Sequence, residues 1–107
     1  MSEVHVQRVH TENVVLDIGG DIGALVIYTD KDRDNDEIEL SPKGSSARFH
    51  NQVHERQFNG RTLFAAVYPG IHAGEYDIWA DESTVAGSIT VAGGQVATVD
   101  WRRSNGG

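Results

Sequence analysis

Cysteine is absent from the 107 residues of this chain, so the sequence offers no disulfide framework, no thiolate nucleophile and no zinc–thiolate site. Positive charge is also scarce. The 9 lysines and arginines are outnumbered by 16 aspartates and glutamates, which gives a formal net charge of −7. An acidic chain is repelled by phosphate backbones and anionic bilayers. Nucleic acid and membrane surfaces are therefore not predicted as partners.

Long apolar runs and helical periodicity are missing as well. No stretch approaches the length of a membrane span, and the opening sequence MSEVHVQRVH lacks the apolar run of a signal peptide. We therefore expect a cytoplasmic protein. Apolar residues do not recur at helical spacing over three turns, so no long amphipathic helix is predicted.

Glycine is frequent, with 12 residues, and short alternating segments lie between the glycine turns. This pattern predicts an all-β fold, a single antiparallel β-sandwich of about seven to eight strands. We expect the domain to cover residues 1–101 and a flexible tail to follow at 102–107. The segment 22–28 is apolar on both pleat faces and is expected to be a central strand covered on both sides. Gly93 and Gly94 predict a hairpin between strands at 84–91 and 95–101.

The loop at 29–36 carries alternating aspartates and resembles a calcium loop in spacing. A calcium loop that starts at Asp30 would extend to Ser41, and two of its positions depart from the pattern. The sixth position is Asn35 instead of glycine, and the twelfth is Ser41 instead of glutamate. The alternative is a solvated loop whose charges keep a sheet edge soluble. The candidate calcium ligands are Asp30, Asp32, Asp34 and Asp36.

Asn59 and Gly60 predict a tight turn between strands at 47–57 and 61–68, with two possible registers. In a two-residue type I′ turn, Arg61 pairs with Phe58. In a turn closed by a glycine bulge, Arg61 pairs with Gln57 and the apolar residues sort to one face, so we expect the bulged register. The opposite face is then the predicted binding face, which consists of His50, Gln52, His54, Phe64 and Tyr68.

Histidines suggest a metal site as an alternative use of this face. His50 and His54 lie about 13 Å apart along one strand, too far to hold one ion together. A metal site would therefore combine His50 or His54 with a residue of another strand, such as His72 or His5. Imidazole suits zinc, copper and nickel. The competing interpretation is that these histidines pack beside aromatic rings.

Catalytic signatures are absent from the sequence. The segment 44–46 lacks the second glycine of a nucleophile elbow and precedes a strand instead of a helix. Paired carboxylates occur only in the acidic loop, where we expect exposure to solvent, and an exposed pair is not predicted to act in acid–base catalysis. The residues therefore favour a non-catalytic protein.

The segment 68–79, YPGIHAGEYDIW, resembles the corner of prealbumin-like and carboxypeptidase-regulatory-like β-sandwiches. That resemblance implies that Ile71 plugs one end of the sandwich and that Tyr76 enters the core. The wider set GALVIYT, EIELSP, RFHNQVHER, AAVYPGIHAGEYDIW and GGQVATVDW resembles small, mostly actinobacterial proteins of unassigned role, some of them labelled phospholipases.

Three functions follow as hypotheses. The leading one is a non-catalytic binding module whose partner is another protein or a second copy of the chain. The first alternative is a metal-binding protein that uses the histidines or the acidic loop. The second alternative, implied by the phospholipase label, is a small hydrolase with Ser46 and His54 as the residues to test.

Overall fold

The structure is a computed structural model that describes residues 7–11 and 14–103. Its regular elements are ten strands and one short 3₁₀ turn at Lys31–Arg33. In chain order the strands are β1 (Gln7–Thr11), β2 (Val14–Ile18), β3 (Ile22–Thr29), β4 (Glu37–Pro42), β5 (Phe49–Gln52), β6 (His54–Phe58), β7 (Arg61–His72), β8 (Gly74–Trp79), β9 (Val85–Val91) and β10 (Val96–Asp100).

The strands form two four-stranded sheets and one separate pair. The first sheet has the order β10-β3-β7-β6, the second has the order β5-β4-β8-β9, and β1 pairs with β2. The prediction of an all-β fold is confirmed. The strands are more numerous than the seven to eight predicted, and no helix in the described part of the chain is long and apolar enough to cross a membrane.

The main core lies between the two sheets. Alternation along each strand directs every second side chain inward, and both sheets contribute buried aliphatic residues. Burying each Leu or Ile side chain stabilises the fold by about 1.5–3 kcal/mol. The fully or almost fully buried members are Leu25, Ile27, Ile38, Leu40, Val53, Ala66, Tyr68, Tyr76, Ile78 and Val91.

A second, smaller core covers the outer face of the first sheet. It contains Ala24 and Val26 of β3 together with Ala65 and Val67 of β7, and β2 lies against both strands. The prediction that 22–28 is covered on both sides is therefore confirmed. The uninterrupted apolar run of β3 reflects these two layers.

The hydroxyl groups of two core tyrosines donate hydrogen bonds to backbone carbonyls. Tyr68 of β7 is 1% exposed, and its hydroxyl donates to the carbonyl of Ile38 in the other sheet. Burial raises the pKa of Tyr68 well above its usual value. Tyr76 enters the core as its resemblance implied, and its hydroxyl donates to the carbonyl of His72 at 2.6 Å.

The predicted hairpin at Gly93 and Gly94 is wrong. β9 belongs to the second sheet and β10 to the first, where β10 pairs with β3 in parallel. The sandwich is therefore not wholly antiparallel. The glycine segment crosses between the sheets because its backbone packs closely on the turn before β3, and the N–H of Gly94 donates to the carbonyl of Ile22 at 2.9 Å.

The bulged register predicted for the Asn59–Gly60 turn is also wrong. Asn59 (φ 53°) and Gly60 (φ 77°) both have positive φ, as a two-residue type I′ turn requires, and Phe58 pairs with Arg61. The predicted strand at 47–57 is divided into β5 and β6, which lie in different sheets. Only β6, the second half of the predicted strand, pairs with β7. The segment 47–57 therefore does not form one continuous apolar face, which was the basis for predicting the bulged register.

Gly93 is a position where close backbone packing excludes a side chain. A Cβ there would lie 2.0 Å from the carbonyl oxygen of Gly20, whereas a Cβ at Gly87 would meet no atom within 4 Å. We expect Gly93→Ala to lower the free energy of unfolding by about 2 kcal/mol or more. The control Gly87→Ala should change it by less than about 0.5 kcal/mol. Urea denaturation measures both, and equal effects would contradict the close packing.

Candidate functional site

The chain passes from the second sheet to the first at Val53, between β5 and β6. Val53 is fully buried. Its N–H donates to the carbonyl of Asp36 and its carbonyl accepts from the N–H of Asn35, both at 2.8 Å. Asn35 has a φ of 75°, a left-handed conformation that asparagine tolerates better than most residues. The backbone at the end of the acidic loop thus fixes the crossing.

The crossing leaves one side of β7 open. β6 pairs with β7 only as far as Ala65, while β7 continues to His72, and no described strand pairs with that continuation on the β6 side. Asn51 of β5 reaches across, and its side-chain Nδ2 donates to the carbonyl of Val67 at 2.6 Å. Pro69 has no N–H to offer. This edge is therefore poorly suited to pairing with a further strand.

A groove of about 520 Å³ occupies the gap between β5 and this part of β7. Its walls carry mainly hydrogen-bonding side chains from β4, β5, β6 and β7. The residues that line it are Glu37, His50, Asn51, Gln52, His54, Arg56, Val67 and Pro69.

Arg56 is the fixed cation of the groove. Its Nε donates to the carbonyl of Ala65 at 3.0 Å, and burial lowers its pKa from the ordinary value. The carboxylate of Glu37 lies 3.6 Å from Nε2 of His50, and both side chains are more than half exposed, so this contact contributes little to stability. The groove therefore offers several donors and a single carboxylate.

An apolar pocket of about 330 Å³ adjoins the groove along the same two strands. Phe49 precedes the groove residues of β5, and Ile71 follows those of β7. The ring of Phe49 packs edge-to-face on Tyr68 and Tyr76, with centroid separations of 5.9 and 6.0 Å. The pocket is lined by Pro42, Phe49, Gly70, Ile71, His72 and Tyr76. Polar and apolar surfaces thus lie side by side.

The structure brings together three of the five residues predicted for the binding face. His50, Gln52 and His54 all line the groove. The prediction for the two aromatic residues is wrong. Tyr68 is buried in the core, and Phe64 pairs with Glu55 and packs on the core. The cause is the incorrect register predicted for the Asn59–Gly60 turn. Sequence reasoning also missed Asn51 and Arg56, whose positions depend on the crossing at Val53.

The histidines proposed as metal ligands are only partly collected. His72 lies in the apolar pocket, with Nδ1 3.9 Å from Oδ2 of Asp21, and His5 lies outside the described residues. Among the residues that the structure describes, no group of three or more metal-ligating side chains is found. Metal binding at His50 and His54 stays a prediction.

The acidic loop forms ion pairs with Arg103, the last residue that the structure describes. Arg103 contacts Asp30 through Nε at 3.3 Å and Asp32 through Nη2 at 3.2 Å. Arg33 lies 3.9 Å from Asp36, and Asp34 is exposed. Calcium binding at these four aspartates stays a prediction. Of the tail predicted at 102–107, residues 104–107 lie outside the description.

Comparison with known proteins gives little. No family model matches the chain, and no curated protein matches it. A leucine-rich repeat protein from Bacteroides thetaiotaomicron has a region of similar structure, with a TM-score of 0.49 and 13% sequence identity. The similar region covers 80% of this chain and 12% of that chain. Similarity of this degree supports no inference about function.

The side chain of Asn51 bonds to the open edge of β7. Its removal tests whether this hydrogen bond stabilises the wall of the groove. We expect Asn51→Ala to lower the free energy of unfolding by about 1–2 kcal/mol, because the carbonyl of Val67 loses its partner. The matched change Gln52→Ala, on the exposed face of the same strand, should cost less than about 0.5 kcal/mol. Chemical denaturation of both variants measures the difference, and equal costs would show that the Asn51 bond is not needed.

Proposed function

We propose that this protein is a non-catalytic binding module whose groove holds an extended, acidic segment of a partner protein. One observation carries the proposal. His50, His54 and Arg56 converge on a groove beside a strand edge that Asn51 and Pro69 make unsuitable for pairing. Side chains, and not main-chain pairing, would therefore recognise the partner.

The charge of the groove supports an acidic ligand. The chain as a whole has a formal net charge of −7, yet the groove contains an arginine, two imidazoles and two carboxamides beside one glutamate. A guanidinium pairs strongly with a carboxylate, and imidazole and carboxamide N–H groups donate to the same oxygens. An acidic side chain is the group that satisfies these donors.

The neighbouring apolar pocket supports an extended segment with an apolar side chain. Side chains two residues apart along an extended chain are separated by about 6.6 Å and lie on the same face. A peptide that lies along β5 and β7 could therefore place one carboxylate in the groove and an apolar group beside Phe49 and Ile71. Burial of that group would add to the affinity.

The other hypotheses from the sequence remain open as predictions. A metal-binding protein would use His50, His54 and His72, of which the first two line the groove, or the aspartates of the acidic loop. A small hydrolase would use Ser46 and His54. The cytoplasmic location and the prealbumin-like topology are likewise predictions.

An array of immobilised octapeptides tests the proposal without knowledge of the partner. Each peptide carries one leucine and zero to three acidic residues at varied spacing. We expect binding of the labelled protein to increase with the number of acidic residues. Arg56→Gln should weaken the strongest interactions about tenfold or more, because a charge-assisted hydrogen bond is lost.

The control variant is Arg61→Gln, which removes the same charge from the exposed strand start beside the Asn59–Gly60 turn. It should bind the array as the parent protein does. Binding that ignores the acidic residues, or an equal loss in both variants, would contradict the proposed function.

A further inference from the structure

The two sheets have four outer strands, and three of them carry features that protect an edge. β6 (HERQF) is charged, β5 has only four residues, and β10 has five residues and ends in Asp100. Short length and charge are two ways in which native proteins prevent edge strands from pairing with other chains.

β9 has none of these protective features in most of its length. Its seven residues, VAGSITV, include no charge and no proline, and Val85 is 43% exposed. The register shift opposite β8 lies at the first end of the strand, and the residues from Gly87 to Val91 pair regularly. On its other side β9 has no partner strand in the described chain. Such an edge presents unpaired N–H and C=O groups.

We propose that two copies of this chain associate by antiparallel pairing of β9 with β9. The four-stranded sheets of the two copies then form one continuous sheet about a two-fold axis. The register centred on the regularly paired part of the strand places Ser88 opposite its own copy and Gly87 opposite Ile89.

The charges at the centre of β9 fit a second copy in spite of the acidic character of the chain. The charged groups bonded to Ser88 are Asp77 and Lys43, whose side chains lie 3.5 Å from each other. The hydroxyl of Ser88 donates to Asp77 at 2.8 Å, and Nζ of Lys43 donates to that hydroxyl at 3.3 Å. Each copy thus brings a neutralised pair to the centre of the seam, where Ser88 faces its own copy.

The β9 surface is separate from the groove. β5 and β9 are the two ends of one sheet, so a dimer leaves the groove accessible. The pairing therefore does not depend on the proposed function, and each can fail alone.

Single cysteines test the pairing directly, because the natural chain contains none. In the proposed dimer two Ser88→Cys thiols lie on facing residues whose Cα atoms are about 4.5–5.5 Å apart, within the range of a disulfide. The control is Gln57→Cys, exposed on the edge strand β6. Under oxidised glutathione, Ser88→Cys should form the covalent dimer about tenfold faster or more, since pairing raises the effective thiol concentration.

A second pair of variants removes dependence on disulfide geometry. Ser88→Lys places two ammonium groups opposite each other and should make the protein monomeric in light scattering, whereas Gln57→Lys should leave the parent dimer intact. Circular dichroism confirms that both variants are folded. A parent protein that stays monomeric at every concentration, or equal cross-linking rates in the two cysteine variants, would overturn the proposal.

Discussion

Two backbone hydrogen bonds at Val53 decide how the two sheets of this protein meet. They bind the buried Val53 to residues 35–36, at the end of the acidic loop. Because the chain changes sheets at this residue, β5 and β6 become the outer strands of different sheets. The far part of β7 then lacks a neighbour on one side, and the groove is the space that results. Asn51 and Pro69 make that side stable without a further strand.

The second sheet therefore has two unlike ends. At the β5 end, side chains fill or line the available space, and the proposed recognition of a partner depends on a guanidinium, imidazoles and carboxamides. At the β9 end the strand is uncharged and its backbone is the main feature. A side-chain groove suits a partner of defined chemistry, whereas a bare strand edge suits another strand. The two proposed interactions therefore use opposite ends of one sheet and do not compete for the same surface.

Much of the fold follows from local sequence patterns, but the pairing of strands does not. Alternation and glycine turns predicted strands such as β7 and β9, and the uninterrupted run at 22–28 predicted the two-sided burial of β3. Sheet membership depends on contacts between distant residues, as at Val53 and at Gly93. Part of the candidate site could not be predicted for the same reason. His50, Gln52 and His54 were found from the strand pattern, whereas Asn51 and Arg56 acquire their roles only from the register.

The most direct test of the crossing is the pairing of β6 with β7 in solution. In the two-residue register Glu55 faces Phe64 at a position without mutual hydrogen bonds, where the α-protons of antiparallel strands lie closest. Nuclear magnetic resonance should show a strong contact between these two α-protons and slow exchange of the Val53 amide proton. A strong α-proton contact between His54 and Phe64, with Val53 facing Ala65, would indicate one continuous strand and would contradict the crossing and the groove.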